Sequence, residues 1–514
     1  MSLKRNILSG IIGQGAVMFL SLISTRLVFK QLGAEVLGII SFAVALTFFF
    51  ICLTDMGMSI LVAREVAVHR KEDIDYARNL IGSMSMLAWA AFFLSCIIVV
   101  ILSPLLVDKW LHIKTMSRGS VVLAIQIISV ALLLAIPRAV YGAVVSGYER
   151  IDLWNIANIL TVGIQQMGMI GVVALGGGVF QVAIWYIVSA IIGLIPFVLL
   201  VARLAGAKSL QFLWRPDIVW KNLHFGSRLF ANSMVSYLVT QADRWSISKF
   251  LPLSALGYYG FAQGLVSKGA IVTGAIANAA FPALSSSVST CEKSVWMSQY
   301  EKLQDLCCYL YIPVSAAVAM LGICITYFVF NSEIVGIIWL PLLYLGIGQF
   351  LLGALYVPYW LAIAMKNPGI ALRSNLWALV VVLPFTVLLT FRFGLSGAAF
   401  SAILYSVWQL IYFVPRFCSI CLERSAKVWF IRLGTFSGIG IIAYGTAWGS
   451  AWLIGESLSI PGLVTSYIIG TIVFIIAGWF AVGRELKGEF REMLEKITMG
   501  FMRKETCQRQ KSNR

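Results

Sequence analysis

The stretches LGIISFA (37–43) and LGYYGFA (256–262) carry one pattern twice, at an offset of 219 residues. Leu37, Gly38, Phe42 and Ala43 return as Leu256, Gly257, Phe261 and Ala262. The same offset recurs where Gly178, Ala183, Tyr186 and Val188 meet Gly397, Ala402, Tyr405 and Val407. Small gaps are needed elsewhere: Asn158 meets Asn375 at an offset of 217. Two tandem copies in an apolar chain are the mark of a transporter whose binding site lies where the copies face each other.

Composition sets the class. Hydrophobic residues make up 60% of the 514 positions and charged residues 12%, against roughly 45–50% and 25% in soluble domains. The chain reads as an all-α polytopic membrane protein. Stretches of about 20 apolar residues give about fourteen spans, with limits near 7–29, 36–61, 79–106, 120–146, 153–175, 179–202, 226–250, 255–284, 306–330, 334–362, 371–391, 395–415, 430–453 and 460–483. Pro137, Pro341 and Pro358 give kinks a cause in the longer spans. Gly176, Gly177 and Gly178 read as a tight turn between spans five and six.

Span one aligns with span seven and span six with span twelve. Six spans per copy is an even number, so both copies enter the membrane in the same direction. Two six-helix lobes are expected, related by a pseudo-two-fold axis along the membrane normal. The division is 1–204 for the first lobe, 205–225 for a linker, 226–417 for the second lobe, 418–483 for two appended helices and 484–514 for a basic tail.

The net charge of +17 follows topology and does not call for nucleic acid. With the N-terminus in the cytoplasm, 29 of the 39 Lys and Arg fall on the cytoplasmic side, and both termini lie inside. Lys4 and Arg5 ahead of an apolar run resemble a signal peptide, but Arg26 interrupts where a cleavage site would be expected, so a retained first helix is predicted.

Several chemistries lack their residues. No GxxxxGK[ST] loop offers a nucleotide site. Cys418 and Cys421 form a lone CxxC, while His69, His112 and His224 are far apart, so no metal centre is expected. Connecting loops of about 15–25 residues join helices and do not house a catalytic domain. The expectation is a transporter and not an enzyme, with no cofactor.

Cations inside apolar spans are costly, at about 2.5–3.5 kcal/mol each on insertion scales, and usually have a task. The set is Arg26, Arg138, Arg244 and Lys268, against Asp55 and Asp243. A net-positive interior suits an anionic substrate, whereas an exporter of cationic drugs calls for the opposite sign. Each residue also has a structural reading. Arg26 can snorkel to head groups. Arg244 can pair with Asp243, and Arg138 can satisfy carbonyls freed by Pro137. Asp55 can cap the inner end of span two or pair with Arg64. Gln263 and Asn278 are polar positions that can bind sugar hydroxyls or join helices.

TRLVFKQLGAEVLGIISFA (25–43), DMG (55–57), ARE (63–65) and SGYERIDLWNIANIL (146–160) follow one another in an order that resembles a known family. FGSRLFANSMVSYLVTQADRWSISKFL (225–251), ALGYYGFAQGL (255–265), FPALS (281–285) and GLSGAAFSA (394–402) continue it over nearly the whole chain. The resemblance is to polysaccharide transporters of the multidrug/oligosaccharidyl-lipid/polysaccharide exporter superfamily. It implies a flippase of the bacterial plasma membrane for an undecaprenyl-diphosphate-linked oligosaccharide, serving O-antigen (lipopolysaccharide) or exopolysaccharide synthesis by alternating access.

The partners implied are the lipid-linked sugar, the bilayer and a polysaccharide polymerase. With no nucleotide site, the expected drive is a proton or sodium gradient, as in an antiporter, or mass action from synthesis and polymerisation. Arg26, Arg138, Arg244, Lys268, Gln263 and Asn278 are then the substrate-binding candidates, with Asp55, Arg64 and Asp243 for coupling or gating. A lipid II flippase and a cation-coupled multidrug exporter of the same superfamily are the alternatives. A membrane glycosyltransferase would need a carboxylate pair near a large loop.

Overall fold

The computed structural model describes residues 3–55, 57–70, 73–217, 230, 233–290, 292–365, 367–455 and 458–482; the side chains of 3–12, 270–283, 285–286 and 289–290 fall outside the description. Among these residues eleven helical segments are long and apolar enough to cross a membrane. One of them, Gly369–Leu422, holds two of the expected spans. The segments expected at 226–250 and 255–284 include undescribed residues, which accounts for the rest of the difference from fourteen.

The helices of the first half are α1 (Leu3–Leu32), α2 (Ala34–Asp55), α3 (Met58–His69), α4 (Ile74–Lys109), α5 (Arg118–Leu133), α6 (Ala135–Gly147), α7 (Ile151–Ala174) and α8 (Val179–Ala205). The second half contributes α9 (Ala242–Phe250), α10 (Leu253–Thr290), α11 (Lys293–Val329), α12 (Ser332–Gly353), α13 (Tyr356–Ala364) and α14 (Gly369–Phe417). It closes with α15 (Ala426–Leu453) and α16 (Ile460–Ala481).

The repeat is visible in where helices begin. α2 starts at Ala34 and α10 at Leu253, the 219-residue offset of the sequence. Gly176 ends the turn before α8 with φ +82°, and Gly394 reverses the chain inside α14 with φ +60°. Only glycine occupies that left-handed region without a steric cost. Two spans of about 20 residues are thereby joined by a one-residue reversal, and a methyl on Gly397 would fall 2.0 Å from the Leu389 carbonyl oxygen across it.

Two boundaries differ from expectation. The second span ends at Asp55 and not near residue 61, because Gly57 takes φ +76° and α3 starts as a separate helix. Asp55 accepts from Ser59 N at 3.3 Å and Ser59 Oγ at 2.5 Å, tying the end of α2 to the first turn of α3. Pro341 lies inside an unbroken α12, and the break falls later, at Ala354–Leu355. Pro137 and Pro358 each sit in the first turn of a new helix, α6 and α13, where a missing N–H leaves nothing unpaired.

Backbone proximity divides the chain into two compact units. The first holds Met1–Gln263, Ile325–Pro341 and Asn375–Ser401; the second holds Gly264–Cys324, Leu342–Ser374 and Ala402–Arg514. The second unit has a core around Tyr300, Cys307, Cys308, Phe413, Phe417 and Cys418. Its charged edge is built from Arg432, which bonds Asp305 at 3.0 Å and pairs with Glu301 at 3.2 Å, and from Arg424, which bonds Glu301 at 2.9 Å. Cys418 and Cys421 are both buried in that core, where thiols pack as small apolar groups.

Within the first unit α2 and α10 cross as symmetry mates. A methyl on Gly38 would fall 2.0 Å from the Leu253 carbonyl oxygen, and one on Gly257 would fall 2.8 Å from the Ala34 carbonyl oxygen. Ala34 and Leu253 are themselves repeat equivalents. One turn on, a methyl on Gly260 would fall 2.2 Å from Oγ of Ser41, again its equivalent. Reciprocal contacts of this kind are what a two-fold axis produces. Small residues let the two backbones meet there.

Candidate functional site: a sealed seam and a polar cluster

One end of the first unit is sealed by contacts between the halves of the repeat. Glu35, in the first turn of α2, is buried and accepts from Lys114 N at 2.7 Å, Thr115 N at 3.0 Å, Met116 N at 3.2 Å and Thr115 Oγ1 at 2.5 Å. Its carboxylate thus fixes the loop after α4. Beside it, Leu253 N donates to the His112 carbonyl at 3.1 Å. Trp110 Nε1 donates to Ser248 Oγ at 2.9 Å, and Lys249 Nζ to the Lys109 carbonyl at 2.8 Å. Phe330 adds an aromatic plug, its ring 4.7 Å from Phe29, 5.6 Å from Tyr258 and 4.9 Å from Phe261.

Arg26 belongs to this seam. Its guanidinium donates to the Phe328 carbonyl and lies over the Phe328 ring, 4.6 Å from the centroid. The side chain is nonetheless exposed.

Deeper along the same helices lies a polar cluster. α9 starts after a break at Gln241, and Asp243 in its first turn is buried. Tyr259 OH donates to Asp243 Oδ2 at 2.5 Å, Gln263 Nε2 donates to the same oxygen at 3.2 Å, and Arg244 N donates to Oδ1 at 2.7 Å. Tyr259 and Gln263 stand four residues apart, one helical turn on one face of α10. Asp243 is therefore saturated without the guanidinium of its neighbour. Arg244 Nε is buried with no hydrogen-bond partner among the described residues. Among the described residues the guanidinium makes no hydrogen bond to the adjacent carboxylate; the carboxylate fixes the arginine's backbone, and Nε is left without a partner.

Tyr237 closes the cluster. Its hydroxyl donates to the Ala45 carbonyl at 2.8 Å and accepts from Trp245 Nε1 at 3.3 Å, linking α9 to the middle of α2.

The other candidates are scattered. Arg138 lines a cavity inside the first unit. Lys268 is exposed on the part of α10 that belongs to the second unit. The Asn278 side chain lies outside the described residues. Asp55 is held by Ser59, and Arg64 is exposed on α3. Sequence reasoning passed over Glu35, Trp110, Tyr237 and Tyr259. A lone glutamate opening an apolar span was the one available signal.

A family model for polysaccharide biosynthesis proteins matches residues 3–288, more than half the chain. The chain belongs to that family. It is 24% identical over 435 residues to a Shigella flexneri protein named "Putative O-antigen transporter", covering 82% of this chain and 99% of that one. Among solved structures it is similar to the lipid II flippase MurJ in an inward closed conformation, with a TM-score of 0.70, 14% identity, and 91% and 98% of the two chains covered. It is also similar to an inward-facing multidrug transporter of the MOP superfamily, with a TM-score of 0.65, 13% identity, and 82% and 98% covered. These likenesses place the fold of this family member among MOP transporters.

Proposed function

We propose that the protein flips an undecaprenyl-diphosphate-linked oligosaccharide across the bacterial plasma membrane, for O-antigen or exopolysaccharide synthesis. Family membership gives the pathway class. The observation that carries the reading further is Arg244: a buried guanidinium nitrogen left unsatisfied, on a helix fixed by a saturated carboxylate. A fixed cation of this kind lowers the cost of passing a diphosphate through a low-dielectric path, and bidentate geometry suits phosphate oxygens.

Alternating access then follows from the repeat. The seam of Gly38, Gly257, Glu35 and Trp110 is the outer gate in its closed position, and it parts when the six-helix lobes rock apart. Arg26, freed from Phe328 at that moment, meets the departing head group. Lys268 and Asn278 are further candidates in the sequence of α10 for contacting the substrate, and Gln263 offers its carbonyl oxygen to sugar hydroxyls. Asp243, Asp55 and Arg64 are the candidates for coupling to a proton or sodium gradient. Both termini face the cytoplasm, and the polymerase meets the product on the far side.

The test is deletion of the gene followed by analysis of lipid-linked sugars, with complementation by wild type and Arg244→Gln. Accumulation of undecaprenyl-diphosphate oligosaccharide with loss of surface polysaccharide supports the reading, as does failure of R244Q to restore it at normal membrane abundance. Arrested peptidoglycan synthesis would favour a lipid II flippase instead. Gain of sensitivity to cationic dyes alone would favour a drug exporter.

A further inference from the structure

A cavity of about 220 Å3 lies among α2, α5, α6, α7 and α8, wholly inside the first unit. Arg138 lines it, together with Thr47, Thr161, Gln165, Tyr186 and Ser189. The guanidinium faces the Phe197 ring at 6.0 Å and makes no ion pair or side-chain hydrogen bond among the described residues. It does not cap the carbonyls freed near Pro137.

Among the described residues of the five lining helices, no acid is placed to neutralise it. α5, α6 and α8 contain no Asp or Glu. The acids of α2 and α7 sit at helix ends and are engaged: Glu35 by the 114–116 loop, Asp55 by Ser59, and Asp152 by Arg150. A charge so isolated in an apolar bundle is costly and calls for a partner that the lining helices do not supply.

The other polar groups say which kind. Thr47, Thr161 and Ser189 donate their hydroxyl protons to carbonyls of their own helices, those of Ala43, Ala157 and Tyr186. The Tyr186 hydroxyl and the Gln165 amide carry no such commitment among the described residues. The cavity thus offers one fixed cation and uncommitted N–H and O–H donors, a set matched to an anion. One positive charge balances one negative charge. At roughly 30 Å3 per water the volume takes a small ion with several waters, and a sugar diphosphate exceeds it in charge and size.

We propose that the Arg138 cavity binds a single small monovalent anion, of halide or nitrate size, held by Arg138 with Tyr186 and Gln165. This site lies within one lobe and is separate from the path assigned to the lipid-linked sugar.

Purified full-length protein without lipid-linked sugar decides the matter, so failure of the flippase reading leaves the test intact. Thermal unfolding is followed in sodium bromide, nitrate and gluconate at constant ionic strength, alongside equilibrium binding of radiolabelled chloride. The expectation is about one chloride per chain, displaced by bromide and nitrate, with a saturable rise in Tm absent in gluconate. Arg138→Gln should abolish binding, Arg138→Lys should retain part of it, and Tyr186→Phe should weaken it several-fold. Wild type that binds no chloride overturns the proposal. So does R138Q that binds like wild type. If R138Q does not fold, unchanged chloride affinity in both Y186F and R138K overturns it.

Discussion

Gly257 approaches Gly38 so closely that a methyl on the former would fall 2.8 Å from the backbone nitrogen of the latter. The two residues are repeat equivalents, and their contact lies on the pseudo-two-fold axis. The seam therefore closes backbone to backbone, with no side chain at its centre to rotate aside. A gate of this design is intolerant of added volume.

Gly38→Ala should hold the α2–α10 crossing apart. Overpacking of this kind costs about 1–3 kcal/mol, and here it falls on the closed conformation. A cysteine placed at Ser41 should label faster with an impermeant thiol reagent in the G38A background, with transport reduced. Gly163→Ala is the control: nothing lies within 4 Å of a methyl at that position, so transport should be unchanged.

Glu35→Gln should loosen the loop after α4. The carboxylate accepts from three backbone N–H groups and a hydroxyl, and hydrogen bonds to a charged acceptor contribute about 1.5–3 kcal/mol each. Replacing one oxygen by a donor removes part of that set and should cost about 2 kcal/mol. Hydrogen exchange at Lys114, Thr115 and Met116 should rise while exchange in α5 stays constant. Unaltered exchange across 114–116 would contradict the clamp.

Tyr259→Phe should destabilise through Asp243. The variant removes the 2.5 Å bond and leaves a buried carboxylate short of one donor, a loss of about 1–3 kcal/mol. Asp243→Asn alone should also destabilise, and the double variant should lose less than the two singles together. Additive losses in thermal unfolding would show that the pair is not coupled.

Glu423 gives the stability of the protein a dependence on pH. Its hydrogen bond from Lys293 at 2.5 Å, with the ammonium's charge, holds the carboxyl below the ordinary glutamate range. A carboxyl lowered on folding adds stability above its unfolded value, about 4.3, and loses it as pH falls through the folded value. Wild type should thus unfold at a slightly higher temperature than Glu423→Gln above about pH 5. The gap should close as the medium is acidified. The pair is exposed, so high salt should shrink the gap too.

Much of the fold was legible because a tandem repeat writes itself in residue type. Small residues at 38 and 257 mark a close crossing, and glycines at 176 and 394 mark reversals, so the offset of helix starts followed. The site was less legible. Asp243 and Arg244 are adjacent in sequence, yet the carboxylate's partners Tyr259 and Gln263 come from the next helix, and only the break at Gln241 turns α9 to meet them. Arg138 stands out in the sequence as a charge in an apolar span. That its surroundings hold no acid is a fact of five helices packed together, which no local pattern encodes.

The single-residue reversal at Gly394 also bears on what can be attached to the protein. Where two spans meet through one glycine, there is no polypeptide for a protease to cut, an antibody to grip or a tag to interrupt. Insertions placed at 394, or at its counterpart near 176, should abolish assembly where insertions into longer connections are tolerated. That end of each helical pair offers no handle that is not itself part of a helix or a tight glycine turn.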